Sequence, residues 1–414
     1  MKYKSFKFLK DLSFVRVAGS AEEERAAELI KEECLKLGLD AKIEDFEIDG
    51  YEIKECELKF DPEYVCDYVG TGFSGSTSAD GVKGELVYID SLQALEVTDV
   101  CGKIALVIGK LINVKIYKEL VKKGCLAIIQ ATGDIYEKEK NTDLDPYQIR
   151  EKQYKDGKIP CVCIRIHDAE KLVRNMPKTA FIKLIQEEKQ VKSHNVVATI
   201  EGSKYPDEII AFSAHFDSVS FSKGAYDNAT GSTTILQVAS YFMNHKPLRT
   251  CKFIWCGAEE MGLLGSKAYV NSYKDELNKY LFNINVDMTG VTLGHDIAKV
   301  TGDISIVNYT KYYALINGFA LDVSQGVYSS DSTPFADMGV PSMSFARLSC
   351  QGGAVIHSRK DVLDFLSEKN YYKTCDFICD YSEKLINSVK FPVVRNIPEN
   401  VKKDIDIYFG RVDK

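Results

Sequence analysis

No stretch of this 414-residue chain approaches the roughly 20 consecutive apolar residues that a bilayer-spanning helix requires. A membrane partner is therefore not expected. Positive charge is not in excess either: 53 Lys and Arg stand against 60 Asp and Glu, a formal net charge of -7. That balance argues against a nucleic-acid partner, which would favour a basic face. Internal repeats and low-complexity tracts are missing, which speaks against a repeat architecture. None of the twelve cysteines forms a CxxC pair, which argues against a zinc ribbon. Several of them, including Cys161, Cys163, Cys251 and Cys256, lie inside apolar runs. They are expected to be buried free thiols of a reducing compartment. Cys375 and Cys379 share one face of a predicted helix and are expected in the core rather than on a metal. The start, MKYKSFKFLKDLSFVRVAG, is mildly basic but lacks the sustained apolar run and clear cleavage site of a secretory leader. A cytoplasmic location is expected, or a secreted one if a leader has been removed.

The length suffices for two or three domains, and 45% hydrophobic residues suffice for a large core. Residues 20–37 have the pattern of an amphipathic helix, with Ala26, Ala27, Ile30 and Cys34 as the apolar stripe. Ser20 and Glu23 suit a capping box, and Gly38 suits a C-cap. From about 60 to 190 the texture changes. Strand-like runs appear at 84–89, 103–108, 126–130, 159–166 and 179–185, with a helix-like stretch between the second and third. A charged, turn-rich stretch at 136–158 reads as a solvated loop. Further on, 229–244 and about 361–388 read as helices, and 391–414 as a docked extension.

Chemistry-bearing residues concentrate between 215 and 357, most of them just after short apolar runs. The run at 209–214 delivers His215 and Asp217; CKFIWC (251–256) delivers Glu259 and Glu260; LFNINV (281–286) delivers Asp287. A fourth run, 340–345, is followed by a short loop and His357, and Asp227 precedes the helix at 229–244. Apolar runs alternating with helical patterns predict a parallel sheet of βαβ units, and open α/β sheets bind ligands at the carboxyl ends of their strands. Taken singly, each residue has an ordinary reading: a solvated loop for the HxD, a cap for Asp227-Asn228, a helix start for the paired glutamates, a turn for Asp287, a core or capping role for His357. Together, two histidines and several carboxylates suit zinc or another borderline divalent ion. The inventory also suffices for a hydrolytic two-metal site with one carboxylate left over as base, the ions roughly 3.5–4 Å apart. The other histidines, at 167, 194, 245 and 295, fit no such pattern.

Five segments carry a specific resemblance: Ser213-Ala-His-Phe-Asp217, Gly224-Ala-Tyr-Asp-Asn-Ala-Thr-Gly231, GAEEMGLLGS (257–266), Asn285-Val-Asp-Met-Thr-Gly290, and His357 with Asp361. In order and spacing they resemble metallopeptidase family 28, the co-catalytic zinc aminopeptidases and carboxypeptidases. The resemblance covers most of 193–390. The runs GKIALVIG and IPCVCI make 60–192 resemble, more weakly, a protease-associated insert. It implies an α/β fold with a mixed, mostly parallel sheet flanked by helices and an inserted β-rich domain. The zinc peptidase domain would comprise 1–59 and 193–392, with a C-terminal tail at 393–414. It also implies two zinc ions, with cobalt or manganese as substitutes. His215, Asp227 and Asp287 would hold the first. Asp227, Glu260 and His357 would hold the second, with Asp227 bridging. Glu259 would be the general base, taking a proton from the bridging water and passing it to the leaving amine. Asp217 would accept from the His215 ring and fix its tautomer. One departure stands out: where the family usually carries Asp-His, this chain has Asp331-Ser332. Asp331 is expected to support the site from behind, and Tyr328 is a candidate donor to the oxyanion. The expected activity is aminopeptidase action on peptides. The alternatives are a carboxypeptidase, for which Arg347 is one candidate carboxylate binder, a single-zinc glutaminyl-cyclase type, or an inactive binding module of the same fold.

Overall fold

The computed structural model describes residues 3–108, 114–144 and 148–412. Gly109 of the GKIALVIG run, 110–113 of the helix-like stretch after it, 145–147 of the charged stretch and the extreme termini lie outside the described residues. Thirteen strands are described: β1 Ala41–Asp61, β2 Tyr68–Gly70, β3 Val82–Ile89, β4 Ile104–Ile108, β5 Ala127–Thr132, β6 Cys161–Arg165, β7 Thr179–Ile200, β8 Tyr205–His215, β9 Arg249–Cys256, β10 Tyr280–Val286, β11 Gly294–Thr301, β12 Leu321–Gln325 and β13 Ser342–Ser349. The chain divides into two compact units, Met1–Ile48 with Lys192–Lys414, and Asp49–Val191. The first boundary falls at 48/49 rather than at the expected 59/60, because β1 continues as one strand to Asp61. The change of texture near residue 60 marks the end of that strand.

In the larger unit the strand order is β12-β11-β13-β10-β8-β9-β7. β9, β8, β10 and β13 are mutually parallel neighbours, while β7 and β11 flank them antiparallel. The central strands are buried nearly throughout, as expected of parallel strands covered on both faces. One face is covered by the helices Ala21–Lys36, Thr230–Asn244, Ile304–Ile316 and Glu368–Ile386. The opposite face packs Tyr269 and Val270 of the helix Leu264–Ser272 together with Leu277, Phe335 and Val340. The sheet thus sits between two apolar layers. Phe212 of β8 lies in the first layer, stacked on Phe253 at 5.0 Å between ring centroids and tilted against Phe242 at 6.3 Å.

Local signals act largely as the sequence predicts, with two differences. Ser20 does cap the helix Ala21–Lys36, its hydroxyl accepting the Glu23 N–H at 3.2 Å. Glu23, however, does not close a capping box: its carboxylate turns inward and accepts from the Gly19 N–H and the Ser193 hydroxyl. The long C-terminal helix begins at Glu368 rather than near 361, capped by Ser367, whose hydroxyl accepts the Asn370 N–H at 3.3 Å. The extension beyond it forms a further helix, Glu399–Tyr408, with Val401 and Ile405 buried.

The smaller unit is mixed α/β. β3, β4, β5 and β6 are parallel, β2 runs antiparallel to β6, and the first residues of β7 run antiparallel to β3. The helices Leu92–Val97, Val114–Lys122 and Ile166–Arg174 accompany this sheet, which carries one apolar cluster around Leu106 and Ile129 and another around Val107 and Ile128. Among the described residues no helix is long and apolar enough to cross a membrane.

Replacing Phe212 with Ala removes a fully buried ring from the larger core. It should cost about 3–5 kcal/mol, read as a lower urea midpoint with an unchanged denaturant slope. A loss below about 1 kcal/mol would contradict the stacking described.

Candidate metal centre

Three adjacent parallel strands deliver their last residues to one edge of the sheet. β8 ends at His215, β9 leads through Gly257-Ala258 to Glu259 and Glu260, and β10 leads directly to Asp287. Asp227 arrives from the loop after β8, just before the helix Thr230–Asn244, and His357 from the loop after β13. The loop residues need uncommon backbone: Ala258, Met288 and His357 all have positive φ, at 49°, 70° and 54°. Such values cost energy in non-glycine residues and persist where the surroundings enforce them.

Asp227 lies at the centre. One of its oxygens is 3.2 Å from His215 Nε2 and the other 3.1 Å from His357 Nε2. His215 Nε2 is also 3.6 Å from Asp287 and 4.0 Å from Glu259. His357 Nε2 is 3.1 Å from Glu260. Two groups of three offered ligand atoms result, His215 with Glu259 and Asp287, and Asp227 with Glu260 and His357, each within 4.8 Å. The first group differs from the expected trio by containing Glu259. Asp227 nonetheless stands nearer His215 than Glu259 does, so its carboxylate spans both groups.

Asp217 lies behind, 3.4 Å from His215 Nδ1 and fully buried. Its two oxygens accept the backbone N–H groups of Glu259 and Glu260 at 3.0 and 3.2 Å, so it orients the glutamate turn as well as the ring. Asp331 is fully buried close to His215, Asp217 and Asp287. Tyr328 is half-buried with Asp287, Asp227 and Glu259 near its ring. Ser332, where the resemblance leads one to expect a histidine, bonds Ser344 at 2.7 Å within the sheet's polar interior.

Two further residues hold the site together. Asp361, which the sequence marked only by its spacing from His357, accepts the N–H groups of Tyr226 and Asp227 at 2.7 and 3.0 Å. Asn228 accepts from the Gly231 and Met288 N–H groups and donates to the Val286 carbonyl. The Asp-Asn-Ala-Thr-Gly stretch was the available signal for Asn228. For Asp361 it was the interval to His357.

Burial sets the electrostatics. It drives the Glu259 carboxyl well above the usual range, aided by Glu260, Asp331 and Asp287 and opposed by His215. Burial also raises Glu260 and Asp331. It raises Asp361 to about 6, against the pull of its two backbone donors. Burial alone would raise Asp227 too, but the bonds to His215 and His357 hold it below the ordinary carboxylate range. Burial would lower His357, yet Asp227 and Glu260 raise it to about 10. His215 is likewise raised: burial opposes the charge, and Glu259, Asp217, Asp227 and Asp287 outweigh it.

Six carboxylates (217, 227, 259, 260, 287 and 331) therefore share a largely buried volume with two imidazoles. Such an excess of negative charge is costly without a compensating cation. Among the described residues, Asp287 Oδ1, both Asp331 oxygens and His215 Nδ1 are buried without a well-aligned hydrogen bond. Unmet bonding capacity on nitrogen and oxygen ligands fits a borderline divalent ion. The site opens to solvent at His357, whose side chain is 38% exposed.

The sequence pattern of peptidase family M28 matches residues 195–382. This domain belongs to peptidase family M28. Over 98% of its length the whole chain is 28% identical to aminopeptidase YwaD of Bacillus subtilis, covering 89% of that protein. It is 26% identical to carboxypeptidase Q of Bos taurus, with 89% of this chain and 81% of that one matched. Among solved structures, a zinc aminopeptidase of Bacillus subtilis superposes with a TM-score of 0.79 at 25% identity, covering 96% of this chain and 98% of that one. The M28 domain's helix-flanked, mostly parallel sheet is thus a known scaffold.

Because the surrounding carboxylates favour the protonated form of the His215 and His357 imidazoles, a divalent ion must compete with protons to bind. Zinc titration at pH 7 should release protons, and apparent affinity should rise with pH until His357 deprotonates near pH 10. Calorimetry in buffers of different ionisation enthalpy measures this; proton uptake, or affinity falling with pH, would contradict the assignment. Excess zinc at about 100 times its Kd should stabilise the chelator-treated protein by about 2.7 kcal/mol, and Asp227→Ala should abolish that gain.

Proposed function

We propose that the protein is a zinc-dependent aminopeptidase that removes residues from peptides with a free N terminus. The observation that carries this reading is the Asp227 carboxylate, one oxygen beside His215 and the other beside His357. In this reading His215, Asp227 and Asp287 hold one zinc ion, and Asp227, Glu260 and His357 the other. An aminopeptidase and a zinc aminopeptidase among the similar proteins support the choice of reaction and of ion. When bound, the ions would supply Lewis acidity, lowering the pKa of a bound water and polarising the scissile carbonyl.

The chain's own residues do the remainder. Glu259 stands 4.0 Å from His215 Nε2 without sharing Asp227's central position. It takes the proton from the attacking water and delivers it to the departing amine. Its environment favours this proton shuttling, since a buried carboxyl among like charges holds a proton readily. Asp217 keeps the base aimed by accepting the Glu259 and Glu260 N–H groups and keeps the His215 ring in place. Tyr328 donates to the oxygen on which negative charge develops. Asp331 supports the His215 and Asp287 side from beneath.

A carboxypeptidase would need a free cation for the substrate carboxylate. Arg347 is poorly suited, because its guanidinium is already bonded to Asp296 at 2.7 Å and to the Val291 carbonyl at 2.8 Å. Asp296 is itself buried and also bonded by Thr374 at 2.8 Å. This favours trimming from the amino end.

Digestion of a peptide library with the zinc-loaded protein should shorten peptides from the N terminus and spare those with a blocked one. Shortening from the other end would replace this reading with the carboxypeptidase one, and one tightly held ion per chain would favour the cyclase type. Glu259→Gln should abolish turnover while both ions stay bound; activity surviving in that variant would mean the base lies elsewhere. Tyr328→Phe should lower kcat on the order of 10²-fold with little effect on KM, and an unchanged kcat would remove Tyr328 from the mechanism.

A further inference from the structure

The mechanism leaves two fully buried charged residues near the amino end of the chain unused, Arg16 and Glu23. The Arg16 guanidinium faces five carbonyl oxygens. Nη1 donates to Leu12 at 2.8 Å, to Phe14 at 2.9 Å and to Lys223 at 2.6 Å; Nη2 donates to Gly224 at 2.8 Å; Nε donates to Phe216. Its backbone pairs with Ser218 in both directions, N–H to the Ser218 hydroxyl at 3.1 Å and carbonyl from the Ser218 N–H at 3.1 Å. Three of the five side-chain acceptors, Phe216, Lys223 and Gly224, belong to the loop that begins after His215, carries Asp217 and ends at Asp227. Gly224 has φ +52°, and a Cβ there would meet Arg16 Nη2 at 2.9 Å and the Asp227 carbonyl at 2.5 Å. The loop is shaped around this guanidinium.

Glu23 does the same for the other loop. Its carboxylate accepts from Gly19 N–H at 2.6 Å and from the Ser193 hydroxyl at 2.5 Å. It lies so close to the turn before Glu259 that a Cβ on Gly257 would clash with Glu23 Oε1. Only seven positions separate the two residues. One short segment therefore touches two of the site-bearing loops, the one from His215 to Asp227 and the turn after β9 that carries Glu259 and Glu260.

We propose that the segment Leu12–Glu23 is a clasp that sets the spacing of two of the site-bearing loops, the His215–Asp227 loop and the turn after β9, with Arg16 and Glu23 as positioning residues. The inference rests on the zinc reading above. A guanidinium presents five donors in a fixed plane, which a lysine ammonium cannot reproduce. Arg16→Lys therefore keeps the charge and loses the span. Supporting residues around a metal site typically change affinity 10–100-fold, and small misplacements of reacting groups are costly in rate.

The test uses the full chain, depleted of metal and reloaded with zinc or cobalt. Arg16→Lys should raise the zinc Kd by about 10-fold or more, alter the visible absorption of the cobalt form, and lower kcat at saturating zinc with KM within about twofold. Glu23→Gln should lower kcat with a smaller change in Kd. A lower Tm with unchanged Kd, cobalt spectrum and kcat would make both residues merely structural and overturn the proposal. Should Arg16→Lys fail to fold, Ser218→Ala, which removes one contact of the clasp, is read by the same Kd and spectrum, and no change in either overturns it. Wild-type protein that binds no zinc overturns the functional reading and the clasp with it. Wild type that binds and cleaves, matched by Arg16→Lys, overturns the clasp alone.

Discussion

The larger unit is organised around one electrostatic constraint. Carboxylates from four separate chain segments converge with two imidazoles in a largely buried volume, and Asp227 lies within 3.2 Å of both rings. Like charges repel strongly where water is scarce, so such a cluster exists only where the fold enforces it and a cation can offset it. The raised carboxyls of Glu259 and Asp331, and the raised imidazoles, are the local record of that constraint.

The enforcement comes mostly from the backbone. Asp217 ties β8 to the turn after β9 through two N–H groups, and Asp361 ties the His357 loop to Tyr226 and Asp227 through two more. Asn228 bonds the strand end at Val286 and the Met288 N–H. Carboxylates bonded to backbone donors give more precise placement than flexible side-chain pairs, and each bond here joins elements far apart in sequence. The apolar layers supply the rigidity beneath, with Trp255 buried and its indole N–H bonded to the Ser232 carbonyl at 2.9 Å. Binding chemistry at the rim thus rests on parallel strands whose carboxyl ends share one edge.

Much of this is legible in the sequence. The apolar runs at 209–214, 251–256, 281–286 and 340–345 are strands β8, β9, β10 and β13, since near-continuous hydrophobic stretches have little alternative to a doubly covered sheet. The helix start at Ser20 is legible because a cap is a local event. What escapes involves choices settled by distant partners. Glu23 fits a capping box by spacing, yet Ser193, 170 residues away, draws its carboxylate inward. Asp361 reads as the start of a helix, but its carboxylate is committed to Asp227, and the helix begins at Glu368 instead. Arg16 carries no motif at all, because its acceptors are main-chain carbonyls that any residue could offer.

By itself the sequence determined the residue types, their order and the strand ends that carry them, because burial periodicity and ligand chemistry are written locally. It therefore determined the family and the kind of reaction to expect. Only the tertiary structure decided that one carboxylate, Asp227, lies between both imidazoles, that Arg347 is bonded internally, and that a segment near residue 16 grips the ligand loops. Those outcomes depend on distances between segments up to about 200 residues apart. No pattern along the chain specifies such distances; packing of the sheet and its helices does.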